Sequence, residues 1–116
     1  MNCLFLGYNK NKTKLITFLK SKKIKVFHYN KILTKKIIKD KDLIISFGYR
    51  KIINKKILKN LNRPILNLHM SYLPFNRGAH PNFWSFIDLT KKGVTIHEIS
   101  AKIDAGRIVC QKEIRF

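Results

Sequence analysis

The 116 residues include only two cysteines and only six acidic side chains, against 25 lysines and arginines. Cys3 and Cys110 lie too far apart in sequence to suggest a disulfide framework, so a reducing compartment, the cytoplasm, is expected. No apolar run reaches the length of a membrane span, because lysine or arginine interrupts each one. The chain begins without a basic leader or a cleavage site, so no signal peptide is expected. These absences favour one globular domain over residues 1–116, free of disulfides and membrane spans.

Several binding motifs are also missing. No group of histidines and cysteines has the spacing of a zinc site, so no metal is expected. Gly7 follows the first apolar stretch without a G-x-G-x-x-G pattern, which argues against a dinucleotide site. There is no internal repeat, linker or low-complexity segment.

The net charge of +19 has two interpretations. A charge of this size is typical of proteins that bind nucleic acid or another polyanion. It also results from a composition in which lysine fills tolerant surface positions. We favour the compositional interpretation, because no basic motif interleaved with aromatic residues and no recognition helix accompanies the charge. A basic surface would still attract a phosphorylated substrate.

Short apolar strands alternate with short amphipathic helices along the chain. This order predicts an α/β fold with right-handed crossovers and a mostly parallel central sheet. A turn at 104–106 joins the last two strands. Cys110 lies on the last strand and is expected to be buried. The strands are predicted over 2–8, 24–28, 42–47, 64–69, 94–99 and 107–114, and the helices over 13–22, 32–39, 54–60 and 81–89.

The strongest chemical signal is an amide and an imidazole two residues apart, Asn67 and His69, at the carboxyl end of a strand. Residues two apart on a strand share a face, and open α/β sheets bind ligands at this end. An amide N–H and a protonated imidazole together can hold an oxyanion. Asp104, in a predicted turn, is the best candidate for the group that sets the charge of the imidazole and accepts a proton. The three groups suit acyl transfer to an amine, and His97 is expected to support the site rather than react.

These residues belong to a longer pattern. It reads Asn-x-His-x-Ser-x-Leu-Pro, then Arg-Gly, then Gly-Val-Thr-x-His, then Asp-x-Gly, and it is met here by Asn67, His69, Ser71, Leu73, Pro74, Arg77, Gly78, Gly93, Val94, Thr95, His97, Asp104 and Gly106. The chain from Asp42 onward thereby resembles the catalytic domain of the folate-dependent formyltransferases. That family includes glycinamide ribonucleotide, methionyl-tRNA and sugar-nucleotide formyltransferases.

The resemblance implies a Rossmann-like three-layer fold and formyl transfer from 10-formyltetrahydrofolate to a primary amine. Asn67 would bind the formyl oxygen, His69 would stabilise the tetrahedral intermediate, and Asp104 would keep His69 charged and relay the amine proton. The folate would be bound by Phe47, Gly48, Tyr49, Arg50, Ile52 and Ile103. The substrate would be bound by Ser71, Arg77 and Gly78.

The stretch 76–85 looks more like the sugar-modifying members, so the expected acceptor is a small-molecule amine, an amino sugar attached to a nucleotide. Methionyl-tRNA is the alternative acceptor, with tRNA as partner. A non-catalytic remnant of the fold and a plain nucleic-acid-binding protein are two further interpretations. The domain is expected to be short in both halves and incomplete at its C-terminal end, since relatives continue with further helix. An uncovered sheet face would favour a homo-oligomer.

Overall fold

A computed structural model describes residues 1–61, 63–69, 93–99 and 108–113 of the chain. The chain divides into two compact units, Met1–Ile65 and Leu66–Phe116. Among the described residues, the first unit contains three strands and three helices, and the second unit contains three strands. In chain order the elements are β1 (Asn2–Gly7), α1 (Leu15–Ser21), β2 (Lys25–Tyr29), α2 (Lys35–Ile38), β3 (Leu43–Phe47), α3 (Lys55–Lys59), β4 (Leu66–His69), β5 (Gly93–Glu98) and β6 (Ile108–Glu113).

The strands of the first unit form a parallel sheet in the order β2-β1-β3. Cys3 of the central strand is in register with Val26 on one side and Leu43 on the other. Parallel neighbours require crossover connections, which α1 and α2 supply. The alternation of strand and helix in the sequence thus predicted the parallel pairing correctly.

The core of this unit lies on both faces of β1. On one face, Cys3 and Phe5 pack with Ile16 and Leu19 of α1. On the other face, Leu4 and Leu6 are also buried, as is Ile44 of β3. A strand buried on both faces reads as a continuous apolar run, which explains why residues 2–7 lack the polar alternation of an exposed strand.

The short helices α2 and α3 begin where a side chain can cap them. The Thr34 hydroxyl accepts from the N–H of Ile37, and the Asn54 side chain accepts from the N–H of Lys56 at 2.8 Å. Such caps satisfy amide groups that have no partner within the helix. The predicted helix over 32–39 is therefore too long at its start, because Thr34 holds the capping position and has extended backbone angles.

The second unit contains an antiparallel arrangement in which β4 pairs with β5 and β5 pairs with β6. The β5–β6 register shifts by one residue between Ile96 and His97, since Ile96 faces Cys110 whereas His97 faces Ile108. The expectation that Cys110 is buried is wrong. Its side chain is exposed, as are those of Ile108 and Val109, because β6 is the last strand of the described order and has a neighbour on one side only.

Within the described part of the chain, no helix is long and apolar enough to cross a membrane. The predicted helix over 81–89 and the predicted turn at 104–106 lie outside the described residues.

Candidate active site

One face of the β4–β5–β6 arrangement carries five polar side chains. Asn67 is in register with His97, and His69 is in register with Thr95, which in turn faces Gln111. Residues directly opposite on antiparallel strands project to the same side, and so do residues two apart on one strand. The pairing therefore assembles these five residues into one group, called here the polar face.

The polar face is largely removed from water. His69 is 6% exposed, His97 is 1% exposed and Thr95 is fully buried. Buried polar groups are stable only when they are hydrogen-bonded. Thr95 meets this requirement in part through its hydroxyl, which accepts from Nε2 of Gln111 at 3.1 Å.

Both ring nitrogens of His97 have partners. Nδ1 lies 3.0 Å from the carbonyl oxygen of Glu98, and Nε2 lies 3.1 Å from Nδ2 of Asn67. A carbonyl oxygen only accepts, so Nδ1 carries a proton and donates it to Glu98. A neutral ring then leaves Nε2 as the acceptor of an N–H from Asn67.

His69 lies beside this pair. Its ring centroid is 6.2 Å from that of His97, and the two ring planes are inclined by 75°. The arrangement offers an amide N–H and an imidazole N–H from one strand face, which is what stabilisation of an oxyanion requires.

The residues predicted to bind folate lie at the carboxyl end of β3 and in the loop that follows it. The N–H of Tyr8 donates to the carbonyl of Phe47 at 2.9 Å, and the two rings pack edge to face with centroids 5.0 Å apart. Gly48 has φ +73°, a left-handed conformation that glycine adopts without strain. A Cβ added to Gly7 would collide with the Phe47 carbonyl, so glycine is required where β1 ends against this loop.

The rest of this loop differs in exposure. Tyr49 is half-buried, and its hydroxyl donates to the carbonyl of Lys31 at 2.6 Å. Burial raises the pKa of Tyr49 above its usual value, opposed by a backbone hydrogen bond at Leu33 and reinforced by nearby Tyr29. The side chains of Arg50 and Ile52 are exposed, with Ile52 at 92%.

The structure places Asn67 and His69 on one strand, beside His97, which was expected to support the site, and adds Thr95 and Gln111. Alternation along β5 indicated that Thr95 and His97 share a face. Gln111 was not predicted, because its position depends on the register of β6 against β5. The remaining predicted site residues, Ile103, Asp104, Ser71, Arg77 and Gly78, lie outside the described residues.

Among the described residues, no three histidine, cysteine, aspartate or glutamate side chains are grouped so that they could hold a metal ion. Metal ions are commonly bound by such groups of side chains. The described polar face offers amide, hydroxyl and imidazole groups that suit hydrogen bonding to a substrate.

Comparison with known proteins identifies the family. The sequence profile described as formyl transferase matches residues 9–116. The dTDP-4-amino-4,6-dideoxyglucose formyltransferase of Mycobacterium tuberculosis (strain H37Rv) is 36% identical over 78 residues, which cover 67% of this chain and 32% of that protein. The bifunctional polymyxin resistance protein ArnA of Wigglesworthia glossinidia brevipalpis is 41% identical over 116 residues, which cover 97% of this chain and 15% of that protein.

A solved structure supports the same assignment. The formyltransferase PseJ from Anoxybacillus kamchatkensis, in complex with UDP-4,6-dideoxy-4-formamido-L-AltNAc and tetrahydrofolate, has 42% sequence identity and a TM-score of 0.87. The match covers 100% of this chain and 61% of that one. The chain thus spans about a third or less of the two curated relatives named above. The predicted Rossmann-like formyltransferase fold is confirmed, and the chain belongs to the formyl transferase family.

Proposed function

We propose that this chain is the catalytic part of a folate-dependent N-formyltransferase. It would transfer the formyl group of 10-formyltetrahydrofolate to the primary amine of an amino sugar carried on a nucleotide. The observation that carries the proposal is the buried polar face, on which Asn67 and His69 lie side by side in a member of this family. The names of the M. tuberculosis relative and of the PseJ complex favour a nucleotide-linked amino sugar and a folate.

The reaction starts when the amine nitrogen attacks the formyl carbon, so that a C–N bond forms and the carbonyl electron pair moves onto oxygen. An N–H of Asn67 and a protonated His69 would hold this oxyanion. Each donor of this kind typically contributes a factor of about 10²–10³ to the rate.

The intermediate then loses the proton of the attacking amine and breaks its bond to N10 of the folate. Asp104 would accept the proton through water, since a protonated amine cannot attack and its proton has to leave. Asp104 would then relay this proton to N10 as it departs, which returns the carboxylate to its charged form. The products are the N-formylated sugar nucleotide and tetrahydrofolate, so atoms and charge balance.

The folate would contact the loop after β3. The backbone of Gly48 and Tyr49, two half-buried residues, would hydrogen-bond the pterin edge, and exposed Ile52 would provide an apolar surface. Arg50 and Phe47 would complete this contact together with Ile103. Ser71, Arg77 and Gly78 would bind the acceptor, and the site of action would be the cytoplasm, as the two unpaired cysteines favour.

Calorimetric titration with 5-formyltetrahydrofolate, a stable folate analogue, tests the first half of this proposal. We expect saturable binding by the wild-type chain and weaker binding by an Asp104→Ala variant. A folded chain that binds no folate would support the interpretation of a non-catalytic remnant.

Formyl transfer, followed by mass spectrometry of the product, tests the second half. Asn67→Ala and His69→Ala are each expected to lower kcat by about 10²–10³. The matched control is Asn60→Ala, which alters an exposed asparagine of the first unit and should leave turnover unchanged. Full turnover in His69→Ala would contradict the mechanism.

The acceptor is determined by offering a dTDP-linked 4-amino sugar, a UDP-linked 4-amino sugar and methionyl-tRNA in parallel. Preference for methionyl-tRNA would favour the alternative acceptor. RNA binding that falls steeply with salt, without any transfer, would favour the nucleic-acid-binding interpretation.

A further inference from the structure

His97 is the most deeply buried histidine of the described residues, and the reaction described above gives it no step of its own. Its ring lies between a backbone carbonyl and a side-chain amide, Glu98 on Nδ1 and Asn67 on Nε2. We infer that His97 is a positioning residue, which fixes the direction in which the carboxamide of Asn67 faces. The catalytic consequence rests on the proposed function, whereas the orientation itself does not.

The tautomer of His97 follows from the partner of its Nδ1 atom. The Glu98 carbonyl lies next to His97 in the chain and has no proton to offer, so the proton of this hydrogen bond belongs to Nδ1. A neutral imidazole with a proton on Nδ1 presents a lone pair at Nε2.

The tautomer of His97 in turn sets the direction of the Asn67 carboxamide. A lone pair at Nε2 selects the N–H side of the carboxamide and repels its oxygen, so Nδ2 of Asn67 faces the ring at 3.1 Å. The amide is planar, so fixing one N–H fixes the second N–H and the oxygen. A flipped amide would present its oxygen where its nitrogen now lies. Because an oxyanion is repelled by an amide oxygen and bound by an amide N–H, this orientation separates a productive Asn67 from an unproductive one.

The paired backbones of β4 and β5 hold the amide and the ring in place. Asn67 and His97 are directly opposite in the β4–β5 register, and the shift in the β5–β6 register falls between Ile96 and His97. One extra residue on β6 locally bends and twists a sheet, and such bulges are known to redirect side chains next to active sites. The hydrogen bond between Asn67 and His97 therefore joins side chains of two paired strands rather than side chains of a loop.

The orientation is measured by ¹⁵N NMR of the histidine rings of the chain at neutral pH. The wild type should show a protonated Nδ1 and an unprotonated Nε2 for His97. The ring signals of His97 are identified by their absence from the spectrum of His97→Asn. Asn67→Ala should shift the Nε2 resonance and leave Nδ1 nearly unchanged, whereas the control Asn60→Ala should shift neither. A protonated Nε2 in the wild type would overturn the inference, because the amide would then present its oxygen. An Nε2 resonance unmoved by Asn67→Ala would overturn it as well.

The catalytic consequence is measured with two variants of similar size. In His97→Gln the longer amide can place an acceptor near the Nε2 position, whereas His97→Asn can retain only the bond to Glu98. We expect His97→Asn to lose about 100-fold in kcat with little change in KM, and His97→Gln to stay within about tenfold of wild type. Thermal unfolding of both variants controls for loss of fold.

Equal loss in the two variants, or no loss in His97→Asn, would refute a positioning role in catalysis. A chain that has the expected tautomer but transfers no formyl group would instead contradict the proposed function. The two failures are thus distinguishable.

Discussion

Cys3 and Cys110 are of the same residue type but differ in chemistry because of where they lie. Cys3 is buried near the start of β1, whereas Cys110 is exposed on β6. Burial raises the pKa of the Cys3 thiol from 9.0 to about 11, and a backbone hydrogen bond at Ile45 opposes the shift. Thiolate is the reactive form, so Cys3 is expected to be inert at neutral pH.

The raised pKa of Cys3 predicts a loss of stability in alkali. The neutral thiol stabilises the folded state fully below pH 9, and this contribution is lost as the pH rises from about 9 to about 11. The total amounts to roughly 2–3 kcal/mol. Urea unfolding of the wild type and of Cys3→Ala across this pH range measures it, and the variant should show the shallower decline. Cys110→Ala is the control and should decline like the wild type. Parallel curves for Cys3→Ala and wild type would contradict the prediction.

At the residue scale, the sequence predicted which residues share a strand face better than it predicted which side chains are in contact. Asn67 and His69 share a face because strand periodicity guarantees it, and that could be read directly. The contact between Asn67 and His97 joins residues 30 positions apart and depends on the β4–β5 register. The requirement for glycine at position 7 was equally hidden, because it arises from a carbonyl of β3.

Among the elements, α1 has an unfavourable charge at its start. Lys14 occupies the N-cap position without a side-chain cap, and the first turn contains no acidic residue. The positive end of the helix dipole therefore lies beside a positive side chain. Lys20 lies in the last turn, where a cation is favourable.

We therefore predict that Lys14→Glu stabilises the chain and that Lys20→Glu destabilises it, each by about 0.3–1 kcal/mol. Both changes lower the net charge equally, so their difference isolates the helix dipole from the general repulsion. Chemical unfolding of the two variants in low salt measures this difference. Equal shifts in the same direction would mean that net charge dominates.

The elements themselves were largely predictable. The strands lie close to their predicted ranges because their apolar runs are bounded by polar or glycine-containing turns. The helices are shorter than predicted. Asn54 and Thr34 both take capping positions, so their side chains mark a helix start that hydrophobic spacing alone does not locate.

For the molecule as a whole, the net charge of +19 opposes folding through repulsion between like charges. Like charges on one compact surface repel each other, and salt screens that repulsion. We predict that raising sodium chloride from about 0.02 to about 0.5 M increases stability by about 1 kcal/mol, or by roughly 5 °C in the melting temperature.

Differential scanning fluorimetry across this salt range measures the effect. A variant in which exposed Lys10 and Lys12 become glutamine should respond less to salt. A melting temperature independent of salt would mean that the charges are already compensated.

The fold class could be predicted because strand–helix alternation leaves few alternatives and the site pattern is specific. The strand order β2-β1-β3 could not be predicted, because hydrophobic periodicity does not determine on which side of β1 each later strand pairs. The expected homo-oligomer stays a prediction, and the sedimentation velocity of the chain would test it.

The polar face has a consequence for how the strands find one another during folding. A slip of one residue between β4 and β5 would send His97 and Thr95 to the side opposite Asn67 and His69. Their polar groups would then be buried without these partners, and such groups typically cost about 1–3 kcal/mol each. The residues proposed to carry out the chemistry would thereby also select against misaligned pairing, so replacing them is expected to allow other registers between β4 and β5.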